Sequence, residues 1–206
     1  MALKSKNSRG YFIAVEGIDG SGKSTLVKSL SEYFTGKGIP VYVTKEPGDN
    51  PIGEAHRKLS RMKNVNRYSA ALLSTAERYF KMETLRKKLK EGSLVISDRY
   101  YLSGLAYHSA DGITFEQYAH LNIDVLKPDV YLFLNTDLDN AEMRIGKPRD
   151  RWEKKLKEIY ICYQDAIKFI ETFDNARVIK LDGNLPKKQV FGNAVNTIEL
   201  LLKGGE

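Results

Sequence analysis

Residues 15–25 read VEGIDGSGKST, a stretch that satisfies the pattern GxxxxGK[ST]. The apolar run YFIAV at 11–15 precedes it, and LVKSL at 26–30 continues it in helical rhythm. A phosphate-binding loop requires this context, because its glycines follow a buried strand and open a helix. The sequence therefore predicts a strand, an anion-binding loop and a helix that begins at that loop.

The chemistry of such a loop is specific. Its glycines allow consecutive backbone N–H groups to converge on phosphate oxygens. Lys23 is placed to reach the β- and γ-phosphates, and the Ser24 hydroxyl is placed to ligate magnesium. We expect the loop to bind a nucleoside triphosphate through nine consecutive residues: Gly17, Ile18, Asp19, Gly20, Ser21, Gly22, Lys23, Ser24 and Thr25.

Length and composition indicate one globular domain over residues 1–206, with 42% hydrophobic residues. We expect a cytoplasmic protein with no membrane partner, because no apolar stretch approaches a membrane span. Residues 1–10 are expected to form a disordered basic tail. The single Cys162 agrees with a reducing compartment. The three histidines lack metal-ligand spacing and are expected to be structural or surface residues: His56, His108 and His120.

The net charge of +7 suggests either nucleic acid or a small polyanionic substrate. The basic runs at 86–90 and 154–155 lie in helical segments mixed with glutamate, which is typical of a solvated face. We therefore expect a small polyanion and no nucleic-acid partner.

Five short apolar runs alternate with helix-like segments along the chain. Their continuous apolarity indicates strands that are covered on both faces. The predicted fold is α/β: a three-layer P-loop NTPase fold with a five-stranded parallel sheet flanked by helices. The predicted strands are 11–15, 41–44, 94–97, 130–134 and 177–181. Polar segments follow each of them, where ligands bind in such sheets.

Several motifs occur in register with the loop. They are EGIDGSGKST at 16–25, KEPG at 45–48, ER at 77–78, DRY at 98–100, SGLAY at 103–107 and DRWE at 150–153. In order and spacing they resemble the thymidylate kinase family, from about residue 11 to residue 198. The resemblance implies transfer of phosphate from ATP to dTMP with magnesium in dTTP biosynthesis, by a homodimer joined through helices near 69–90. The accepting oxygen is already anionic, so the reaction needs alignment and charge neutralisation rather than a strong base.

The resemblance also implies roles for individual residues. Asp98 would orient magnesium-bound water near Ser24, Arg99 would hold the 5′-phosphate and Arg78 would recognise thymine. Tyr107 would lie against the deoxyribose, with Ser103 in the same pocket. The implied acceptor-binding residues are Asp19, Lys45, Ser74, Arg78, Arg99, Ser103 and Tyr107.

Residues 141–153 look like a short basic lid that closes over ATP, with Arg144 stacked on adenine. Arg149 and Arg151 would approach the phosphates, and the resemblance leaves open which of them is catalytic. The implied catalytic residues are Lys23, Arg99, Arg149 and Arg151. The segment 182–186 would border adenine.

Two positions depart from the family pattern. Lys45 stands where arginine is usual, and Ser74 stands where a phenylalanine commonly stacks on thymine. Three aromatic residues could replace that stack from shifted positions: Tyr68, Tyr79 and Phe80. These departures keep two alternatives open: a related deoxynucleotide or nucleoside kinase with an altered acceptor, such as dUMP or a broader set, and a P-loop ATPase or switch.

Overall fold

The computed structural model describes residues 9–62, 64–147 and 150–204. The strands form where the apolar runs predict them, each within one residue of the expected bounds. They are β1 (Phe12–Glu16), β2 (Val41–Lys45), β3 (Leu94–Asp98), β4 (Val130–Asn135) and β5 (Val178–Asp182). All are parallel, in the order β2-β3-β1-β4-β5. This confirms the predicted five-stranded parallel sheet.

The helices lie between consecutive strands, except the last, which follows β5, and they cover the sheet. They are α1 (Lys23–Gly36), α2 (Pro51–Ser60), α3 (Arg67–Lys90), α4 (Tyr101–Ser109), α5 (Phe115–Leu121), α6 (Leu138–Ile145), α7 (Leu156–Phe173) and α8 (Lys187–Leu202). A 3-10 turn (Glu153–Lys155) precedes α7. In the described part of the chain, none of these helices has the length and apolarity that a membrane crossing requires.

Two apolar layers lie on opposite faces of the sheet, because successive β1 side chains alternate between them. Phe12 and Ala14 pack in the cluster that contains residues of α3, α4 and α7. Ile13 and Val15 pack in the cluster of α1 and α8. All five β1 residues are buried, as a central strand with helices on both faces requires.

Strand register brings the predicted polar segments to one edge. Asp98 at the end of β3 is paired with Val15 on one side and Lys45 on the other. Because β1 lies between β3 and β4, the loop that follows Glu16 opens at the centre of this edge. Topology alone therefore places the glycine-rich loop beside Asp98 and Arg99.

The predicted disordered tail falls mostly on residues 1–8, which lie outside the described residues. Its last two positions contact the domain: Arg9 forms an ion pair with Asp129, and the Gly10 N–H donates to the carbonyl of Leu89 at 2.7 Å.

Candidate active site

The glycine-rich loop joins β1 to α1 and holds Lys23 over its own backbone. Lys23 Nζ donates to the carbonyl of Ile18 at 2.7 Å and lies 3.4 Å from Ser21 Oγ. Gly20 has a φ of 78°, and a Cβ at this position would collide with the carbonyl of Ala141 in α6. Glycine is required here by both the backbone conformation and the close approach of α6.

Lys23 is only 6% exposed, and this burial disfavours the charged form of its side chain. Burial and the nearby Arg99 lower its pKa to about 8, and the carboxylates of Asp19, Asp98 and Glu16 oppose this shift. An anionic ligand in the loop would add negative charge beside Lys23 and so favour the charged form of this side chain.

Ser24 and Asp98 adjoin each other at the start of α1. The Ser24 hydroxyl donates to Asp98 Oδ2 at 2.5 Å. A hydroxyl next to a carboxylate is the hard-oxygen donor set that magnesium prefers, and Mg²⁺ sites commonly use one or two protein oxygens together with substrate phosphates. These residues therefore fit the predicted metal site.

Arg99 is the centre of a hydrogen-bond hub just after β3. Its backbone is left-handed, with a φ of 68°. One guanidinium nitrogen donates to Gly17 O at 2.9 Å, Ser103 Oγ at 3.2 Å and Tyr163 Oη at 3.1 Å. The other donates to Asp19 Oδ1 at 2.5 Å. A non-glycine residue held in this conformation at such a hub is typical of functional sites.

Asp19 lies in the loop between Arg99 and Tyr107, whose hydroxyl donates to Oδ2 at 2.9 Å. Burial raises the pKa of Asp19, but the charges of Arg99 and Lys23 outweigh burial and hold the pKa well below 3.8. Asp19 is thus a carboxylate throughout the neutral range. It cannot act as an acid, and it serves to position cations.

Glu16, which we did not predict as a site residue, positions the residues around Arg99. It is fully buried, accepts from the Tyr100 N–H at 2.9 Å and accepts from the Ser103 hydroxyl. Burial raises its pKa above 4.5 despite the Ser103 hydrogen bond and the Arg99 charge. Glu16 therefore fixes the turn after β3 that carries Arg99.

Two cavities meet at this hub. The first, which we call the loop cavity, has a volume of about 570 Å³ and runs from the glycine-rich loop to α8. It is lined by most of the predicted triphosphate residues: Asp19, Gly20, Ser21, Gly22, Lys23, Ser24, Thr25 and Arg144. Gly17 and Ile18 lie behind it and contribute carbonyls to Arg99 and Lys23. The 182–186 segment, predicted to border adenine, contributes Gly183 and Leu185.

The second cavity, which we call the α4 cavity, has a volume of about 330 Å³ and lies between α2, α3 and α4. Six of the seven predicted acceptor residues line it: Asp19, Ser74, Arg78, Arg99, Ser103 and Tyr107. The seventh, Lys45, lines the loop cavity and pairs with Asp49 at 2.8 Å. Asp19, Glu46 and Arg99 border both cavities, so ligands in the two would approach each other at Arg99.

Arg78 belongs to the wall of the α4 cavity and is only 1% exposed. Its guanidinium binds Glu46 through two nitrogens, at 2.9 Å from Nε and 2.6 Å from Nη2 to Oε2. The remaining N–H groups reach Tyr118 Oη at 2.5 Å, Asn122 Oδ1 at 3.0 Å and Tyr100 O at 3.2 Å. These contacts engage all five N–H groups of the side chain. Recognition of a base by Arg78 stays a prediction, and it would require the exchange of one of these bonds.

Ser74 is buried, and its hydroxyl contacts other polar groups. Its hydroxyl lies 3.0 Å from His108 Nε2 and 2.7 Å from Tyr118 Oη. The structure does not bring the three suggested replacement aromatics here: Tyr68, Tyr79 and Phe80 are 44%, 36% and 60% exposed. Helical spacing directs them away from the cavity, whose aromatic lining among the described residues is Tyr107, Trp152 and two histidines.

Those histidines, His56 and His108, were predicted to be structural or surface residues. Both line the α4 cavity, with ring centroids 6.3 Å apart and planes at 25°. Burial lowers the pKa of His56 to about 4 and that of His108 well below 6.5, with nearby arginines adding to both shifts. Both rings are therefore neutral at physiological pH. The sequence signal that we missed is the position of His108 at the end of SGLAYH, where it continues the buried face of α4.

The lid arginines differ in position. Arg144 donates to Gly20 O at 3.2 Å and Gly183 O at 3.4 Å, and so bridges the two sides of the loop cavity. Arg151 pairs with Asp111 at 2.8 Å and lies 3.9 Å above the Trp152 ring, so it is not among the described residues that line the loop cavity. Arg149 lies outside the described residues.

Comparison with known proteins gives one consistent result. A family model described as thymidylate kinase matches residues 15–193. The chain is 33% identical to the probable thymidylate kinase of Thermococcus kodakarensis, over 93% of this chain and 98% of that protein. It is 31% identical to the thymidylate kinase of Halalkalibacterium halodurans, over 93% and 97%. A solved thymidylate kinase from Candida albicans superposes with a TM-score of 0.79 at 25% identity, covering 95% of this chain and 93% of that one.

Proposed function

Because the chain belongs to the thymidylate kinase family, we propose that its loop cavity binds ATP and its α4 cavity binds dTMP. The reaction is transfer of the γ-phosphoryl group of ATP to dTMP, which gives dTDP and ADP for dTTP synthesis. The observation that carries this assignment of the cavities is their common wall. Two anions bound on either side of Arg99 would meet at the same guanidinium.

The hub residues supply alignment and positive charge. The acceptor is a phosphate oxygen that already carries negative charge, so catalysis consists mainly of positioning and neutralisation. Lys23 would contact the β- and γ-phosphates, and Arg99 would hold the acceptor phosphate. Asp19 competes for Arg99 at 2.5 Å, so we propose that the acceptor phosphate shares the guanidinium with this carboxylate. Tyr107, fixed by its hydrogen bond to Asp19, would border the sugar.

Ser24 and Asp98 would hold magnesium, Asp98 through water, as their adjacent oxygens support. When bound, magnesium neutralises charge on the transferring phosphoryl group. We assign Asp98 to positioning, because its carboxylate already accepts the Ser24 hydroxyl in the protein alone.

The lid would supply the positive charge that the glycine-rich loop lacks. The loop stretch Ile18, Asp19, Gly20 and Ser21 contains no basic residue, so a further cation must come from another segment. We propose that Arg149 or Arg151 supplies it when residues 141–153 close over ATP, with Arg144 against adenine. The contacts of Arg144 with Gly20 and Gly183 support its place at this cavity.

We also propose a cytoplasmic homodimer. The exposed apolar side chains of α3, namely Tyr68, Leu72, Tyr79 and Phe80, support association through this helix. The single cysteine supports a reducing compartment.

A competition assay tests the function. Purified protein is mixed with ATP, magnesium and equal amounts of dTMP, dUMP, dCMP and dGMP, and the products are resolved by mass spectrometry. We expect dTDP as the main product and none from Lys23→Ala, whose folding is checked by circular dichroism. A different deoxynucleoside diphosphate as the main product would show that dTMP is not the preferred acceptor. In a parallel assay with added nucleic acid, stimulated hydrolysis of ATP to ADP and phosphate, with no deoxynucleoside diphosphate formed, would indicate an ATPase instead.

A further inference from the structure

A carboxylate just after α4 pairs with two cations of residues 150–155, which we call the anchor segment. The side chain of this residue, Asp111, is only 6% exposed. Its Oδ2 forms an ion pair with Arg151 Nη1 at 2.8 Å, and its Oδ1 accepts from Lys155 Nζ at 2.7 Å. Lys155 Nζ also donates to the carbonyl of Ala110 at 3.3 Å. The anchor segment is thus joined to the end of α4 by three polar contacts.

The position of Asp111 is unfavourable for a carboxylate unless cations pair with it. The C-terminus of a helix carries partial negative charge, which repels an acidic side chain and attracts a basic one. Asp111 lies two residues after the last residue of α4, and its N–H donates to the carbonyl of His108 at 3.1 Å. Arg151 and Lys155 therefore neutralise both the carboxylate and the helix end. Detachment of the anchor segment would leave Asp111 without these two cations.

The anchor segment also forms one wall of the α4 cavity. It contributes three of the lining residues: Asp150, Trp152 and Glu153. The Trp152 ring meets Tyr107 edge-on, with ring centroids 5.4 Å apart. The guanidinium carbon of Arg151 lies 3.9 Å above the Trp152 ring, although Arg151 is not among the described residues that line either cavity. Arg151 therefore contacts the wall of the α4 cavity without facing a ligand site.

We propose that Asp111 is a positioning residue for the acceptor, because it fixes the wall that the anchor segment gives to the α4 cavity. Its ion pairs keep the Trp152 ring against Tyr107, the residue proposed to border the sugar. This inference rests on the proposed function, in which the α4 cavity binds dTMP. It also narrows the choice of the lid cation, since Arg151 is assigned to anchoring rather than to the phosphates.

Loss of the anchor should weaken acceptor binding more than phosphoryl transfer. The reason is that the anchor segment lines the α4 cavity and contributes no residue to the lining of the loop cavity in the described part of the chain. We expect Asp111→Asn and Arg151→Met each to raise the KM for dTMP about tenfold and to leave kcat within about threefold of wild type. Adding Arg151→Met to Asp111→Asn should raise KM by less than about twofold more, because the ion pair is already lost.

The rescue by a conservative variant separates anchoring from catalysis. Arg151→Lys keeps a cation for Asp111, so its KM for dTMP should lie nearer to wild type than that of Arg151→Met. Asp165→Asn is the matched control, because the Asp165 carboxylate is exposed on α7 and pairs with Lys168 at 3.1 Å. It should leave KM and kcat unchanged. A fall of kcat in Arg151→Met that Asp111→Asn does not share overturns the inference.

Fluorescence gives a measurement that does not depend on activity, because Trp152 is the single tryptophan of the chain. It is buried, with 6% of its surface exposed. We expect the emission of Asp111→Asn to move to longer wavelength and its quenching by acrylamide to increase, whereas Asp165→Asn should match wild type. Folding of each variant is checked by circular dichroism.

Unchanged emission in Asp111→Asn, or changed emission with an unchanged KM for dTMP, overturns the inference. If Asp111→Asn does not fold, Arg151→Met decides the matter: a lowered kcat with an unchanged KM overturns the inference, and a raised KM with kcat retained supports it. Wild type that leaves dTMP unphosphorylated would instead overturn the proposed function, and the fluorescence of Asp111→Asn would still test the anchoring.

Discussion

Arg78 offers a sharp test of the structure, because its contacts make it a scaffold residue and the family resemblance makes it a base reader. We consider Arg78→Met, which keeps the length of the side chain and removes the charge. Glu46 is then left in the interior, and among the described residues Lys81 is its remaining ion-pair partner, at 3.5 Å. Breaking one side of a buried ion pair costs about 3–5 kcal/mol. For a chain of this size the expected fall in Tm is about 6–20 °C.

The assay is urea unfolding at pH 7.5 without nucleotides, combined with the KM for dTMP of each folded variant. Arg86→Met is the matched control, because Arg86 lies on the same helix, is half-exposed and pairs with Glu83 at 3.2 Å. It should change the free energy of unfolding by less than about 0.5 kcal/mol. The double variant Glu46→Gln/Arg78→Met has no unpaired carboxylate at position 46. It should therefore recover part of the stability that Arg78→Met loses. A loss below about 1 kcal/mol in Arg78→Met, together with a large rise in KM, would refute the scaffold role.

Three further predictions concern the loop and the histidines. Lys23 loses its charge above its pKa of about 8, so the Kd of ATP, measured by calorimetry, should rise above that pH by up to about tenfold per pH unit. A flat profile to pH 9.5 would contradict this. Gly20→Ala should lower Tm more than Gly22→Ala, because both glycines have a positive φ but only a Cβ at position 20 would meet α6. Equal losses of Tm would show that the contact with α6 does not require glycine at position 20. His56 and His108 have lowered pKa values, so their contribution to stability is complete above pH 6.5 and should be lost towards pH 4, by at most about 1.4 kcal/mol per pH unit for each. Urea unfolding of His56→Gln should show a shallower decline with falling pH than wild type, and an identical decline would disprove the assignment.

Local signals predicted the strands and the loop well. Each strand is a short apolar run, and the loop is one continuous motif, so neighbouring residues determine both. The place of Asp98 beside the loop also followed from the sequence, because parallel strands end at one edge of a sheet. The strand order was not predicted, since it depends on which apolar edges pair after the helices have packed.

Contacts between distant segments account for what the sequence did not reveal. The binding of Arg78 to Glu46 joins residues 32 positions apart, and its bond to Asn122 spans 44. The periodicity of apolar residues along one helix or strand carries no information about such distant pairs. His56 and His108 come from α2 and α4, and each alone has the spacing of an ordinary structural histidine. Ser74 was recognised as a departure, yet its bond to His108 became visible only when the helices were placed together.

The common wall of the two cavities also bears on inhibition. Because Asp19, Glu46 and Arg99 border both, a compound that fills one cavity ends where the other begins. An adenosine and a thymidine joined by a short polyphosphate could occupy both at once. Once one half is bound, the tether holds the other at a high effective concentration, and affinity can exceed that of either half by about 10²–10⁴. If the two cavities bind the proposed substrates, their common wall makes one linked molecule a competitor of both.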